Sequence, residues 1–363
     1  IKDVLTLSQH QHQLIELIAS PEIKIITLTI TEKGYCLTSG GELDEEHPDI
    51  QKDLSNPHFP ISAPGLLARG LQTRMETGSG PISIISCDNL SGNGHSTRQA
   101  VTGIAGLFSD ATAHWISDHV SFPDTMVDRI VPATSETDGL SFVNETGIED
   151  HGLVVCEPFS QWVIEDHFVC GRPSWEGAGV EMVEDVKPFE EMKLRMLNGT
   201  HSTLAYLGFL AGFEYVADVV LKPDFERLLK NMMAEEIVPT LNLPRSVDLD
   251  QYQSALIERY RNPALKHRLW QIAMDGSQKL PQRLLSTIRD RLDAGSSFPR
   301  LATPAIQPAP PPLEVRFLSK INSGATVKLC FMFLEEVPSP EYATTSRNPG
   351  ALLKQCLTDV SLL

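Results

Sequence analysis

Hydrophobic and polar positions follow two different rhythms along this chain. In the first half, short apolar runs such as residues 24–30 (KIITLTI) and 81–86 (PISIIS) each end in polar, turn-forming residues. Runs rich in β-branched residues, separated by amphipathic stretches, are typical of a buried sheet surrounded by helices. Residues 23–150 are therefore predicted to form α/β units, with ligands beyond the carboxyl ends of the strands.

From about residue 188 the apolar positions recur at helical spacing instead. Pro188 suits a first helical position, and apolar residues follow it at intervals of one turn. Further helices are predicted near residues 222–237, near 248–261 with Asp248 as the cap, from Asn262, and from Pro281 to about residue 293. The second half is therefore expected to be mainly helical.

Beyond Ile306 the pattern changes again. QPAPPP at residues 307–312 predicts an extended connector, and a β-like run and a polar tail follow it. We therefore divide the chain into an α/β domain over residues 1–183, a helical domain over 184–306 and a tail of undefined fold over 307–363.

Composition narrows the partners. Lys and Arg total 30 against 47 Asp and Glu, which gives a formal charge of -17 and argues against sequence-independent binding of nucleic acid. No stretch approaches the roughly 18 uninterrupted apolar residues of a membrane span. The six cysteines lack zinc-ligand spacing, so we expect a reduced cytoplasmic setting and no metal site.

The most informative segment is EEMKLRMLNGTHS, residues 190–202. At about 100° per residue, with Lys193 at zero, Glu190 lies near 60°, His201 near 80° and Asn198 near 140°. These four polar groups therefore share one arc and can face a cleft together.

This grouping suits alcohol oxidation without a metal. Removal of a hydride from a carbinol carbon requires a group that takes the hydroxyl proton, and a lysine in a poorly solvated cleft can do so. Asn198 can donate to the developing oxyanion, His201 can bind a neighbouring hydroxyl, and Glu190 can pass the proton on. On spacing alone, a Glu–Lys pair at i,i+3 is more often part of a solvated helix face.

Several sequence blocks resemble those of the mannitol dehydrogenase family of long-chain polyol dehydrogenases, in the family's order. They are TLTITEKGY at residues 27–35, SCDNLSGNG at 86–94, FPDTMVDRI at 122–130, EPF at 157–159, MKLRMLNGTHS at 192–202 and QIAMDGSQKLP at 271–281. The resemblance covers about residues 23–303. It implies a Rossmann-type domain for NAD, with NADP not excluded, a helical C-terminal domain, and a metal-independent active site between them.

The resemblance also implies roles for single residues. Lys193 matches the family's general base, Asn198 and Asn89 its oxyanion-binding amides, His201 its substrate contact and Glu190 its proton-channel carboxylate. Asp128 and Lys279 match positions near the substrate. The residues themselves leave simpler readings open: Asn89 as an Asx-turn residue, Asp128 as a partner of Arg129, and Lys279 as a solvated cation.

Two blocks indicate the substrate class. MKLRMLNGTHS and HRLWQIAMDGSQKLPQR (residues 267–283) are most similar to family members that interconvert D-mannonate and D-fructuronate with NAD(H). Arg268, Lys279 and Arg283 would supply positive charge for the carboxylate of such a substrate. Oxidation of mannitol to fructose and reduction of tagaturonate remain alternatives, and the protein would act on this small molecule as a monomer or homodimer.

Two features depart from the family pattern. The phosphate-binding glycine loop is expected upstream of Ile1, and we therefore expect the first βαβ units to be missing from this chain. We interpret Gly92-Asn93-Gly94 as an accidental glycine pattern. The residues after Ile306 do not resemble the family's helical continuation. A catalytically inert fragment is therefore a competing hypothesis. A zinc alcohol dehydrogenase or metal hydrolase is disfavoured, because the His and Cys residues of this sequence lack the spacing of metal ligands.

Overall fold

A computed structural model describes residues 3–132, 134–245, 247–274 and 276–306. Residues 1–128 with 160–190 form one unit, and the remaining residues, 129–159 and those from 191 onward, form a second. The first is called the sheet unit and the second the helical unit. The predicted proline-rich tail, residues 307–363, lies outside the described residues.

The sheet unit contains a parallel sheet of three strands in the order β1-β2-β3. These strands are β1 (Ile25–Leu28), β2 (Ile82–Ser86) and β3 (Val120–Ser121). All five residues of β2 are buried, as expected for a central parallel strand with both faces covered. Its helices are α1 (Leu7–Ala19), α2 (Pro48–Ser55), α3 (Ala63–Glu76), α4 (Asn93–Phe108) and α5 (Asp110–His119).

A second, smaller sheet completes this unit. It has the order β4-β5-β6, comprising β4 (Thr125–Asp128), β5 (Gln161–Glu165) and β6 (Glu181–Val183). The first pair is antiparallel and the second is parallel. The α/β character predicted for this half of the chain is confirmed.

The helical unit contains one largely buried helix. Helix α8 (Gly199–Leu210) buries ten of its twelve residues, which is typical of a helix surrounded by others. The other helices are α6 (Glu136–Thr146), α9 (Val216–Val220), α10 (Pro223–Asn231), α11 (Leu249–Tyr260), α12 (Leu269–Ala273), α13 (Gly276–Leu280), α14 (Ser286–Asp293) and α15 (Pro299–Ile306). The Asp248 carboxylate accepts from Gln251 N, so the predicted cap of α11 is confirmed.

Residues 129–159 belong to the helical unit, although the hydrophobic pattern grouped them with the first domain. The Arg259 guanidinium donates to both carboxylate oxygens of Glu157, at 2.9 and 2.7 Å. The same carboxylate accepts from Ile130 N at 2.7 Å, and Phe159 lies under the guanidinium at 4.0 Å. This buried pair anchors the segment to α11.

None of the helices within the described residues is both long and apolar enough to cross a membrane.

Candidate active site

A π-helical turn carries the predicted base. Helix α7 (Lys187–Met192) leads into a π-helix over Lys193–Asn198, which continues as α8. The amide of Gly199 donates to Leu194 O, five residues back. Lys193 is 9% exposed, and Asn198 is partly buried. The regular α-helical geometry assumed for this segment is therefore wrong, and π turns occur frequently at functional sites.

The π turn narrows the arc that the polar groups occupy. Because such a turn holds about one residue more than an α turn, it sets Asn198 and His201 back by roughly 100° relative to Lys193. Asn198 then lies near +40° and His201 near −20°, within an arc of roughly 60° that includes Lys193. The structure thus brings these three predicted residues onto one face more closely than a regular helix would.

His201 is held between two rings. It stacks on Tyr260 with ring centroids 5.4 Å apart, and the edge of His267 lies 4.8 Å away. Burial lowers the pKa of His201 well below its ordinary value of 6.5, and three nearby groups act in the same direction: His267, Arg283 and Arg259. A neutral imidazole is therefore present at neutral pH. No hydrogen-bond partner within the described part of the chain reaches its buried Nε2 atom.

Of the three cations predicted to bind a substrate carboxylate, Arg283 has the surroundings best suited to an anion. It is partly buried, its Nη1 donates to Ser202 Oγ at 3.1 Å, and burial lowers its pKa. Among the described residues, no carboxylate lies within ion-pair distance of it. A desolvated guanidinium gains most from an anion that can accept several of its hydrogen bonds.

The two other predicted cations have different surroundings. Arg268 is exposed, lies 3.7 Å from the Glu214 carboxylate and approaches the ring of Tyr215. Lys279 donates to Met274 O at 2.7 Å. Arg268 and Lys279, which were predicted to bind the substrate, thus interact with other groups of the protein.

In the sheet unit, Glu190 holds the loop that carries Asn89. Its carboxylate accepts from Ser91 Oγ at 3.1 Å and from Gly92 N at 3.2 Å. Burial raises the pKa of Glu190 to about 7, and the negative charges of Asp124 and Glu165 add to the effect. Glu190 can therefore gain or lose a proton near neutral pH. Asn89 is exposed on the same loop, between β2 and α4.

The glycine pattern at residues 92–94 is filled by the protein. Gly94 N and His95 N both donate to Asp124 Oδ1, at 2.5 and 3.2 Å. A Cβ atom at Gly94 would lie 2.4 Å from Phe122 O, so glycine permits close backbone approach. The amides that could bind a phosphate at this helix start are occupied by Asp124. The turn does not fit a pyrophosphate.

Asp128 ends β4 and is 4% exposed. It lies opposite Gln161 of β5 in the register of the antiparallel pair. The guanidinium of Arg129 donates to the carbonyls of Phe159 and Pro158. Asp128 thus reaches the carboxyl end of a strand, where ligands of α/β proteins bind.

Two further polar side chains near His201 escaped the sequence reasoning. Tyr260 falls at an apolar helical position and was indistinguishable from a core aromatic residue. His267 opens one of the quoted blocks, but nothing in its spacing set it apart. Within the described residues, no group of three His, Cys, Asp or Glu side chains comes together as metal ligands would.

The raised pKa of Glu190 predicts a pH-dependent stability. Below its ordinary value of 4.5 the carboxyl is protonated in both states, and its contribution to folding is fully present. As the pH rises through about 7 the buried group must ionise, and this contribution is lost. We therefore expect the thermal midpoint of the protein to fall relative to that of Glu190→Gln between pH 5 and pH 8. The exposed neighbour variant Glu184→Gln should differ from the protein by a constant amount, and parallel curves for Glu190→Gln would contradict the prediction.

Comparison with known proteins agrees with this architecture. The mannitol dehydrogenase Rossmann domain matches residues 1–177, and the mannitol dehydrogenase C-terminal domain matches residues 185–305. A solved mannitol 2-dehydrogenase from Pseudomonas fluorescens, in a ternary complex with NAD and D-mannitol, superposes with a TM-score of 0.75 at 42% identity. The match covers 84% of this chain and 62% of that protein.

Two curated relatives represent different substrates. The D-mannonate oxidoreductase of Escherichia coli K12 is 49% identical over 290 residues, 80% of this chain and 60% of that protein. A mannitol 2-dehydrogenase of Aspergillus terreus is 39% identical over 360 residues, 97% of this chain and 70% of that protein. This second alignment takes in most of residues 307–363, which the hydrophobic pattern set apart as a tail.

The chain spans 57 to 60% of the length of the curated relatives that it matches at 49 to 52% identity. Both domain matches and the resemblance of the sequence blocks agree. This chain belongs to the mannitol dehydrogenase family.

Proposed function

We propose that this protein is a nicotinamide-dependent oxidoreductase that interconverts D-mannonate and D-fructuronate, with Lys193 as general base. The observation that carries the proposal is the π turn, which groups Lys193, Asn198 and a neutral His201 on one face, with Lys193 and His201 buried and Asn198 partly buried. A buried amine beside amide and imidazole groups is suited to proton removal from a hydroxyl.

The chain's own residues would divide the work as follows. In the oxidation direction, the Lys193 amine takes the proton of the substrate hydroxyl, and the Asn198 amide donates to the oxygen that becomes a carbonyl. His201, neutral through burial, forms a hydrogen bond with a neighbouring hydroxyl. Asn89 contributes a second amide, and Glu190 receives the proton from Lys193 at a pKa near neutrality.

NAD is the proposed cofactor, and when bound it would accept the hydride. Support comes from the Pseudomonas fluorescens relative, whose structure contains NAD. Because the amides at residues 94 and 95 already donate to Asp124, we assign no contact with the cofactor phosphates to that turn.

The environment of Arg283 favours a sugar acid over an uncharged polyol. Its guanidinium is desolvated, and its described side-chain hydrogen bond goes to a neutral hydroxyl. A substrate carboxylate would compensate this charge, whereas a polyol would compensate it less. The 49% identity with a D-mannonate oxidoreductase points in the same direction.

Oxidation of mannitol to fructose is the second candidate. It is supported by the mannitol 2-dehydrogenases among the relatives and by the superposition on one of them. Comparing kcat/KM for D-fructuronate and for D-fructose with NADH distinguishes the two. We expect D-fructuronate to be the better substrate, and a preference for D-fructose would overturn the proposed substrate.

A catalytically inert fragment is the third possibility. Titration of the purified chain with NADH, followed by nicotinamide fluorescence, separates it from an active enzyme. Saturable binding together with turnover supports the enzyme. Absence of both would identify the chain as inert.

Arg283→Met should test the substrate class directly. Loss of one charge-assisted interaction is worth about 1.5–3 kcal/mol, so we expect KM for D-fructuronate to rise by roughly 10- to 150-fold. KM for any activity on D-fructose should change by less than about threefold, since that substrate has no carboxylate. The measurement is steady-state kinetics with both substrates.

Arg289→Met is the matched control, because Arg289 is exposed on the neighbouring helix α14. It should leave both KM values unchanged. If Arg283→Met raised KM for D-fructuronate and for D-fructose by the same factor, Arg283 would not be the residue that recognises the substrate carboxylate.

A further inference from the structure

We infer that Tyr260 and Thr200 are positioning residues that hold the π turn at Lys193–Asn198 and, through it, the catalytic face. This inference rests on the proposed function for its kinetic consequences, but its structural part can be tested separately. Neither residue is assigned contact with substrate or cofactor.

A π turn needs support from outside its own hydrogen bonds. Its wider ring makes it rarer than the α-helix, and it persists where the surrounding structure stabilises it. Here the Gly199 amide donates to Leu194 O, five residues back. The backbone carbonyls after Leu194 therefore do not all have the partners that they would have in a regular α-helix. Two of these carbonyls, Met196 O and Leu197 O, accept from side-chain hydroxyls.

Tyr260 provides the first of these hydroxyls. It lies on α11 and is 2% exposed. Its Oη donates to Leu197 O at 2.8 Å and lies 2.8 Å from Thr200 Oγ1. The contact spans 63 residues of sequence, so the turn is fixed by a different helix of the unit.

Thr200 provides the second hydroxyl, from the first turn of α8. Its Oγ1 lies 2.5 Å from Met196 O and 3.2 Å from Leu197 O. Bonds of this type between a threonine and carbonyls one turn earlier bend or loosen a regular helix. Thr200 and Tyr260 therefore act on the same part of the turn, between Lys193 and His201.

The ring of Tyr260 also contacts the catalytic face directly. It stacks on His201 with an interplanar angle of 18°. One side chain thus holds both the turn that directs Lys193 and the imidazole of His201. Any buried tyrosine hydroxyl needs a hydrogen-bond partner, but the partner of Tyr260 lies in the π turn and its ring stacks on His201.

Tyr260→Phe separates these roles, because phenylalanine keeps the ring and loses the hydroxyl. Displacement of catalytic groups by about 1 Å can reduce rates by roughly 100-fold, so we expect kcat to fall by about 10- to 100-fold. KM for NADH should change by less than about threefold, since the hydroxyl does not touch the cofactor in the proposed scheme. Thr200→Ser, which retains a hydroxyl, should keep most of the activity, whereas Thr200→Val should lose it.

Tyr206→Phe is the matched control. Tyr206 is also buried on α8, and its hydroxyl also donates to a backbone carbonyl, Ala273 O at 3.0 Å, which lies outside the π turn. We expect a comparable decrease in thermal midpoint for the two variants but an unchanged kcat for Tyr206→Phe. Equal kcat values in the two variants would overturn the positioning role.

Amide hydrogen exchange keeps the inference testable whatever the activity. Tyr260→Phe should accelerate exchange in peptides covering residues 193–202, and Tyr206→Phe should not. If the protein turns over no sugar acid, ketose or polyol, the proposed function fails, and exchange alone then decides whether Tyr260 fixes the turn. Unchanged exchange at residues 193–202 would refute it.

Discussion

Lys193→Ala should reduce kcat by about two to four orders of magnitude, the usual scale for a general acid-base group. The side chain is 9% exposed and begins the π turn, so water cannot easily replace it as the proton acceptor. Alanine is the strongest helix former. The helix should therefore remain folded, and the loss should appear in the rate and not in the thermal midpoint.

The kinetic measurement is steady-state turnover of D-mannonate with NAD, across a pH series. Lys187→Ala is the matched control, because Lys187 is exposed in the preceding helix, and its kcat should equal that of the protein. Partial recovery of Lys193→Ala by added methylamine would identify the missing group as a base. An unaltered kcat would remove Lys193 from the chemistry.

Breaking the buried pair of Glu157 and Arg259 should give the largest change in stability. Their side chains are 1% and 6% exposed, and removal of one partner leaves an uncompensated buried charge. We expect Arg259→Met to lower the free energy of unfolding by about 3–5 kcal/mol. Denaturant unfolding at neutral pH measures this value.

A double variant refines that prediction. Arg259→Met combined with Glu157→Gln removes both charges, and it should be more stable than Arg259→Met alone. Arg227→Met is the control, since the Arg227–Asp224 pair is exposed on the surface, and it should change the unfolding midpoint little. A double variant less stable than either single variant would contradict this account.

Local patterns predicted much of the fold. The apolar runs at residues 24–30 and 81–86 became β1 and β2, because β-branched residues in short buried runs have few alternatives to a strand. The helix cap at Asp248 was also predictable from the sequence, since its hydrogen-bond partner lies only three residues away. The family and the α/β-plus-helical architecture were likewise identified from residues close together in sequence.

Features that depend on distant residues could not be predicted. The placement of residues 129–159 in the helical unit depends on a pair separated by 102 positions. The periodicity of hydrophobic residues cannot predict such a contact. The π turn was missed for a related reason. Its polar spacing fits an α-helix, and the groups that support it, above all Tyr260, come from another helix.

The candidate site was predictable in part. Lys193, Asn198 and His201 lie on one continuous helical segment whose π turn is compatible with a shared face, and their grouping and catalytic roles stay predictions. The surroundings of the cations were not foreseeable, because the contact of Arg268 with Glu214 and the lack of a described carboxylate at Arg283 depend on packing.

The hydrogen bonds from Ser91 and Gly92 to the Glu190 carboxylate make the loop that contains them sensitive to pH. An ionised carboxylate accepts hydrogen bonds from an amide and a hydroxyl more strongly than a protonated one does. For Glu190 burial outweighs this effect and raises its pKa to about 7, so ionisation favours any opening that returns the carboxylate to water. We therefore expect the loop bearing Asn89 to be held less firmly in alkaline than in acidic solution. A single proton near neutrality would thus change both the charge of this carboxylate and the hold on the loop that carries Asn89.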